Sequence, residues 1–205
     1  MSTSVRCIGI TGTNGGGKTT LAEFLRLNYS VGYYEVRDFL DAERARRDMP
    51  PGRESLRELA NELRQKYGPD YIMRTLAEQA MMSRNHNPFI IESIRCVGEV
   101  EYLSATFGEG FVLVGVDAPQ DVRYKRAEKR DSQTDKVTFE VFCSDEALEM
   151  NQSDPWKQNL RACMEGVRKG FKLWNNGAEY LFHSEIRLTA QCLGLEPKTG
   201  PQKTA

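Results

Sequence analysis

Near its N-terminus the chain reads Gly12-Thr13-Asn14-Gly15-Gly16-Gly17-Lys18-Thr19, which fits the pattern G-x-x-x-x-G-K-[S/T]. Glycines let the backbone turn tightly and point successive N–H groups at an anion. An apolar, strand-like run precedes this stretch, and a helical pattern with Leu21, Phe24 and Leu25 on one face follows it. A strand, a glycine-rich turn and a helix in this order predict a phosphate-binding loop, because the positive end of the helix faces the anion.

This phosphate loop predicts that the protein binds a purine nucleoside triphosphate, which we expect to be ATP, together with Mg²⁺. Lys18 is suited to neutralise the β- and γ-phosphates, and the hydroxyl of Thr19 is suited to ligate magnesium. A merely flexible glycine-rich turn would not explain the flanking strand and helix. The residues expected to contact the nucleotide phosphates are Gly12, Thr13, Asn14, Gly15, Gly16, Gly17, Lys18, Thr19 and Thr20.

Strand-like and helical segments alternate along the 205 residues. This alternation predicts an α/β fold, a P-loop NTPase three-layer sandwich with about five parallel strands and helices on both faces. We expect one domain over residues 1–194, with a helical substrate insert at about residues 39–68 and a lid at about residues 130–150. Residues 195–205 are polar and are expected to form a disordered tail.

Composition narrows the range of partners. The net charge of −1 provides no general attraction to nucleic acid or to a membrane surface. No run approaches the roughly 20 apolar residues of a membrane span, and no secretory signal is recognisable. The five cysteines are scattered without CxxC spacing, which favours reduced thiols over a zinc site. We therefore expect a cytoplasmic protein whose partner is a small nucleotide acceptor; the sequence leaves its oligomeric state open.

Three polar residues follow predicted strands, at the sheet edge where ligands bind in open α/β folds. Asp38 comes just after the predicted strand 33–37 and is expected to contact an acceptor hydroxyl as a base or orienting group, or else to cap the next helix. Glu92 ends an apolar strand and is expected near magnesium, the alternative being a solvated strand end. Arg95 is expected to bind a phosphate of the second substrate, unless it is an ordinary surface residue.

The segment 121–130 is a strongly basic helix. Its Arg123, Arg126 and Arg130 share one face, which suggests a lid over the transferring phosphate, with Arg126 and Arg130 as catalytic residues. The alternative is a solvated helix with local ion pairs. Asn176, in an Asn-Asn-Gly sequence after the last predicted strand, is expected near the adenine or simply in a turn.

Two other charged stretches are less informative. Asp145-Glu146 and the arginine-rich residues 44–53 are each interpreted as solvated helix surface rather than as part of a site.

With these residues in place, the chain resembles the predicted nucleotide kinases of the dephospho-CoA kinase and nucleoside-monophosphate kinase group. The resemblance implies a five-stranded parallel sheet, a helical substrate insert, a lid and ATP-dependent phosphoryl transfer. In that group the strand ending here in Glu92-Ser93 more often ends in Asp-Gly. The segments that carry the resemblance are the phosphate loop, Ile91-Glu92-Ser93-Ile94-Arg95 with Gly98-Glu99-Val100, Val116-Asp117-Ala118-Pro119 with Arg123 and Arg126, Leu63-Arg64 with Tyr67-Gly68-Pro69-Asp70, and Asn176-Gly177.

Three functions are consistent with these features. The first is phosphoryl transfer from ATP to a nucleoside or deoxynucleoside monophosphate, or to dephospho-CoA. The second is a nucleotide-binding regulatory protein with weak or no kinase activity. The third is a nucleic-acid end kinase, which the net charge does not favour.

Overall fold

The computed structural model describes residues 4–83, 88–129 and 137–198. Its centre is a sheet of five parallel strands in the order β2-β3-β1-β4-β5. Strand β1 lies in the middle and is buried along its whole length, as expected for a parallel sheet covered on both faces. The strands are β1 (Cys7–Gly12), β2 (Gly32–Glu35), β3 (Phe89–Ile94), β4 (Phe111–Asp117) and β5 (Lys172–Trp174).

Helices connect the strands, and 3₁₀ turns at Gly108–Gly110 and Lys169–Phe171 lead into β4 and β5. The helices are α1 (Lys18–Asn28), α2 (Val36–Arg46), α3 (Arg53–Tyr67), α4 (Tyr71–Met82), α5 (Val97–Phe107), α6 (Gln120–Lys129), α7 (Phe139–Met150), α8 (Leu160–Glu165) and α9 (Glu179–Cys192). No helix in the described part of the chain combines the length and the apolar composition that crossing a bilayer requires.

Apolar side chains pack on both faces of the sheet, which confirms the predicted three-layer α/β fold. On one face, Ile8 and Ile10 of β1 pack in a cluster with residues of α1 and α9. On the other face, Cys7 packs with Phe89, Ile91 and Ile94 of β3 and with residues of α2, α3, α4, α5 and α8. Both clusters leave the carboxyl ends of β1, β3 and β4 at one edge, so side chains that follow these strands can converge there.

The boundaries differ from the sequence prediction at two places that affect the site. Strand β2 ends at Glu35 and α2 begins directly at Val36, so Asp38 lies inside the first turn of the helix and does not precede it. The pair Asp154-Pro155 is typical of a helix start and predicts a helix from Pro155. Helix α8 instead begins only at Leu160, where the side chain of Asn159 accepts a hydrogen bond from the Ala162 N–H. Asn159 is therefore the N-cap.

The beginning of the expected disordered tail is ordered. Leu195 is buried, and Pro197 forms an antiparallel bridge with Tyr29 after α1. The N–H of Lys198 donates to the carbonyl of Asn28 at 2.8 Å. Residues 195–198, which the sequence assigned to a disordered tail, thus pair with the rest of the fold, because a polar composition does not exclude backbone pairing. Residues 199–205 lie outside the described part.

Candidate functional site

The phosphate loop joins β1 to α1, and its backbone requires glycine. Gly15 and Gly17 have φ values of +76° and +113°, which side-chain-bearing residues rarely adopt. A Cβ on Gly15 would lie 2.5 Å from the carbonyl oxygen of Arg123, and one on Gly17 would lie 2.4 Å from Nδ2 of Asn175. The glycines of the motif thus serve both the turn and the close approach of neighbouring residues.

Lys18 opens α1 and is buried against the loop. Its Nζ donates a hydrogen bond of 2.9 Å to the carbonyl oxygen of Thr13. No side chain caps the N-terminus of α1, so the first helical N–H groups remain available for an anion. The arrangement provides a positive, donor-rich concavity, as the sequence predicted.

The loop is also tied to the neighbouring strand β4. Thr13 Oγ1 donates to Asp117 Oδ1 at 2.6 Å, and the Ala118 N–H donates to the same oxygen at 2.8 Å. Asp117 was not among the predicted site residues. Its position at the end of β4 was the available signal, since that strand ends at the same sheet edge as β1.

Of the two asparagines after β5, Asn175 contacts the phosphate loop, whereas Asn176 lies in the turn, one of the two positions expected for it. Asn175 is buried, and its Nδ2 donates to the Gly16 carbonyl at 3.0 Å. Its Oδ1 accepts from Nη2 of Arg126 at 3.2 Å. Asn176 is exposed, and its backbone N–H bonds to Trp174 O within the turn. Asn175 therefore contacts the loop, because the turn after β5 rotates the second asparagine away.

The arginines of α6 do not share one environment. Arg123 is buried and donates to the Ala118 carbonyl and to Glu146, so it stabilises the structure between α6 and α7. Arg126 faces the phosphate loop, with Nη1 3.4 Å from the Gly15 carbonyl. Arg130, the other predicted catalytic arginine, lies outside the described residues.

The predicted magnesium pair is brought together. Thr19 Oγ1 donates to Glu92 Oε1 at 2.9 Å, and Glu92 is buried at the end of β3. Tyr33 OH donates to Glu92 Oε2 at 2.7 Å and lies 3.2 Å from Glu35 Oε2. A hydroxyl next to a carboxylate is an oxygen donor set of the kind Mg²⁺ prefers, so the residues fit this ion.

The environment of this pair shifts two neighbouring groups. Burial, followed by the Glu92 carboxylate, raises the pKa of Tyr33 above its ordinary value, so the phenol remains a donor. Burial and then the charges of Glu92 and Asp38 raise the pKa of Glu35. Glu35 pairs with Glu92 in the register of β2 and β3, which brings two acidic residues to this sheet edge.

Ser93 occupies a bulge in β3. The register of β1 and β3 moves from Ile10↔Glu92 to Thr11↔Ile94, so Ser93 is the extra residue. Its φ is +75°, the left-handed region that glycine adopts without strain. A glycine at this position, as in the Asp-Gly of similar proteins, would adopt this conformation without steric strain. In Ser93 the same conformation costs free energy because of its side chain.

A first cavity lies over the phosphate loop and is bounded by the loop, α1 and the ends of β2 and β3. It measures about 440 Å³, within the range of ordinary small-molecule sites. Lys18, Thr19, Glu92 and Arg95 all line it. Asp38 is exposed and lines neither this cavity nor the one beside it, whereas Glu35 lines the first. Because α2 begins earlier than predicted, Glu35 and not Asp38 lies at the cavity.

A second cavity, hereafter the arginine cavity, lies between α2, α3 and α7. Its lining includes one carboxylate, Glu149, and five arginines: Arg37, Arg53, Arg57, Arg64 and Arg95. Arg64 is fully buried against Glu99, with Nε 2.9 Å from Oε1, yet its Nη1 has no hydrogen-bond partner among the residues that the structure describes. An unsatisfied guanidinium N–H in a buried residue that lines a cavity indicates a place for an anion.

Arg53 and Arg95 are both held by Glu149 of α7. Arg53 Nη2 is 2.7 Å from Glu149 Oε1, and Arg95 Nη1 donates to Oε2. On the same helix Asp145 pairs with Arg57 at 3.3 Å. The interpretation of Arg53, Asp145 and Glu146 as solvated surface was wrong, since each forms an ion pair that is partly or largely buried.

The two cavities meet. Asn14, Arg37, Ser93 and Arg95 line both of them. The predicted acceptor residue Arg95 thus lies at the junction of the phosphate loop with the arginine cavity. Arg53, Arg57 and Arg64 come from a single helix and could have been suspected only after that helix was placed against β3.

The parallel sheet, the glycine-rich loop and the buried Lys18 at the start of α1 define a P-loop nucleotide-binding protein. The chain belongs to the AAA domain family, which it matches over residues 8–169.

The chain is also similar to archaeal proteins. It is 29% identical over 188 residues to a UPF0200/UPF0201 protein of Archaeoglobus fulgidus, covering 91% of this chain and 55% of that protein. It is 31% identical over 129 residues to a UPF0200 protein of Saccharolobus solfataricus, covering 62% of this chain and 65% of that protein. The chain therefore spans less than two thirds of the length of these relatives.

Among solved structures, TT1252 from Thermus thermophilus has the same fold. The TM-score is 0.59 with 18% identity, and the match covers 95% of this chain and 100% of that one. At this identity the likeness supports the fold alone.

Proposed function

We propose that the protein transfers the γ-phosphoryl group of ATP, with Mg²⁺, to a small anionic, nucleotide-like acceptor. The observation that carries the proposal is the junction of the two cavities at Asn14, Arg37, Ser93 and Arg95. A donor phosphate on the loop and an anionic acceptor among the arginines would be neighbours there. Phosphoryl transfer depends mainly on such positioning and on neutralising charge.

On the donor side, Lys18 and the N–H groups of the loop bind the phosphates, and Arg126 adds charge beside Gly15. Thr19 and Glu92 would hold magnesium, which neutralises charge on the β- and γ-oxygens when bound. Arg130 remains a proposed partner of Arg126 from the sequence alone.

On the acceptor side, five arginines and one carboxylate line the arginine cavity, so it suits a phosphate-bearing ligand. Planar guanidinium groups bind phosphate oxygens in pairs, and Arg64, a buried residue of the lining, has a donor at Nη1 that the described residues do not use. These features, with the resemblance to nucleotide kinases, support a nucleoside or deoxynucleoside monophosphate, or dephospho-CoA, as acceptor.

The reaction forms a bond from an acceptor oxygen to the γ-phosphorus and breaks the bond to the bridging oxygen of ADP. A phosphate acceptor attacks through an ionised oxygen and needs no base. A hydroxyl acceptor must lose a proton, and Glu35 is a carboxylate that lines the first cavity beside Glu92. We assign to Glu35 the role that the sequence suggested for Asp38.

The test measures ADP release from ATP and magnesium with a panel of ribo- and deoxynucleoside monophosphates and dephospho-CoA, with Lys18→Ala as control. Acceptor-dependent ADP that disappears in Lys18→Ala supports the proposal. Glu35→Gln should then abolish turnover of a hydroxyl acceptor and spare a phosphate acceptor. Tight ATP binding without turnover on any acceptor would favour a nucleotide-binding regulatory protein instead.

A further inference from the structure

Helix α7 is acidic and loosely packed. It carries Glu140, Asp145, Glu146 and Glu149 and no basic residue. Of its twelve residues only Phe142 and Glu149 are buried. Because so little apolar surface is covered, charge interactions hold much of the helix in place.

The carboxylates of α7 engage arginines of other elements. Glu149 binds Arg53 and Arg95, and Asp145 binds Arg57. These three arginines line the arginine cavity. Glu146 binds Arg123, which does not line it. Two acidic residues of α7 therefore occupy the donors that an anionic ligand of the cavity would use, and a third does not.

Glu149 is a charged group in this position. Burial favours its neutral form, but Arg95 and then Arg53 outweigh burial and lower its pKa to about 2. Each of its oxygens faces a guanidinium group. Its carboxylate thus resembles a bound anion in both charge and contacts.

The arginine cavity is also small. Its volume is about 100 Å³, whereas small-molecule sites are typically about 300–1,000 Å³. The arginine cavity by itself is therefore too small for a nucleotide-sized acceptor while Glu149 occupies its arginines. From these contacts we infer that α7 competes with anionic ligands for the arginine cavity. Its Glu149 and Asp145 carboxylates bind arginines of the cavity until an anionic ligand takes their place, and α7 is then released.

This inference takes from the proposed function only that the arginine cavity receives the acceptor, and its test needs no turnover. The probe is inorganic sulfate, titrated calorimetrically into protein whose phosphate loop is filled with ADP, at constant ionic strength. Glu149→Gln and Asp145→Asn each remove one competing charge. Glu146→Gln removes the same charge from the same helix outside the cavity and is the matched control.

We expect sulfate affinity to rise about tenfold in Glu149→Gln and severalfold in Asp145→Asn, and to change less than about twofold in Glu146→Gln. The Asp145–Arg57 pair is only partly buried, so Asp145→Asn should still fold. It therefore keeps the test valid if Glu149→Gln folds poorly. Weaker or unchanged sulfate binding in both variants would overturn the inference, because the carboxylates would then be positioning the arginines.

A second measurement follows the helix itself. In the wild-type protein, sulfate should accelerate amide hydrogen exchange of residues 139–150 severalfold, while α3 is unaffected or protected. Equal amounts of chloride should have no such effect. Slower exchange in α7 on adding sulfate would contradict release of the helix, even if the affinities changed as expected. A protein without kinase activity could still give the expected result in both measurements.

Discussion

The hydroxyl of Thr19 donates a 2.9 Å hydrogen bond to the carboxylate of Glu92, joining the start of α1 to the end of β3. We predict that Glu92→Gln lowers the affinity for a non-hydrolysable ATP analogue in the presence of magnesium by about tenfold or more, because the charge that supports the ion is lost. Binding without magnesium should change little. Calorimetric titrations with and without the ion measure both.

The control for this prediction is Tyr33→Phe. It removes the other hydrogen bond to Glu92, of 2.7 Å, and leaves the carboxylate in place. Its effect on magnesium-dependent binding should be several times smaller. Equal losses in the two variants would mean that Glu92 only maintains the local structure.

Adjacent asparagines after β5 offer a matched pair. Asn175→Ala should lower the free energy of unfolding by about 1–3 kcal/mol, because it leaves the Gly16 carbonyl without its 3.0 Å hydrogen bond. It should also weaken ATP binding, since the same amide positions Arg126. Asn176→Ala, at an exposed side chain, should change stability by less than about 0.5 kcal/mol. Chemical denaturation tests both, and a larger effect at Asn176 would refute this assignment.

The backbone of Ser93 yields a prediction about strain. With φ at +75°, Ser93→Val should destabilise the protein by about 1–3 kcal/mol, because a β-branched residue tolerates this conformation poorly. Ser93→Gly should leave stability within about 1 kcal/mol, since relief of strain offsets the greater freedom of the unfolded chain. Ser83→Val, at φ −73°, is the control and should be nearly neutral. Similar effects at both valines would exclude backbone strain as the cause.

The sequence predicted well what depends on local pattern. The phosphate loop follows from residue types at fixed spacing, and the apolar strand and the helix predicted on its two sides are present as β1 and α1. The sequence prediction was only approximate for the positions assigned to Asp38 and Asn176. Strand β2 ends a few residues earlier than predicted, so Glu35 lies at the position expected for Asp38. In the turn after β5, Asn175 and not Asn176 contacts the phosphate loop.

The arginine cavity was beyond prediction for a different reason. Glu149 lies 54 residues from Arg95 in sequence, and their contact depends on how α7 lies against the end of β3. Charged residues on a helix usually face solvent, so Asp145 and Arg53 carried no signal of their burial. Only the ion pairs between α7 and α3 identify them as partners.

The last prediction concerns acid stability. Because Arg95 and Arg53 lower the pKa of the buried Glu149 carboxyl from 4.5 to about 2, its ionised form stabilises the folded state. That contribution is fully present above the unfolded value and is lost as the pH falls through the folded one. The stability advantage of the wild-type protein over Glu149→Gln should therefore be constant near neutral pH and shrink between about pH 4.5 and about pH 2. Urea denaturation of both proteins across this range measures the difference. A difference in the free energy of unfolding that stays constant down to the lowest pH would show that Glu149 contributes through packing and not through its charge. Its competition with an anionic acceptor would then have no electrostatic basis.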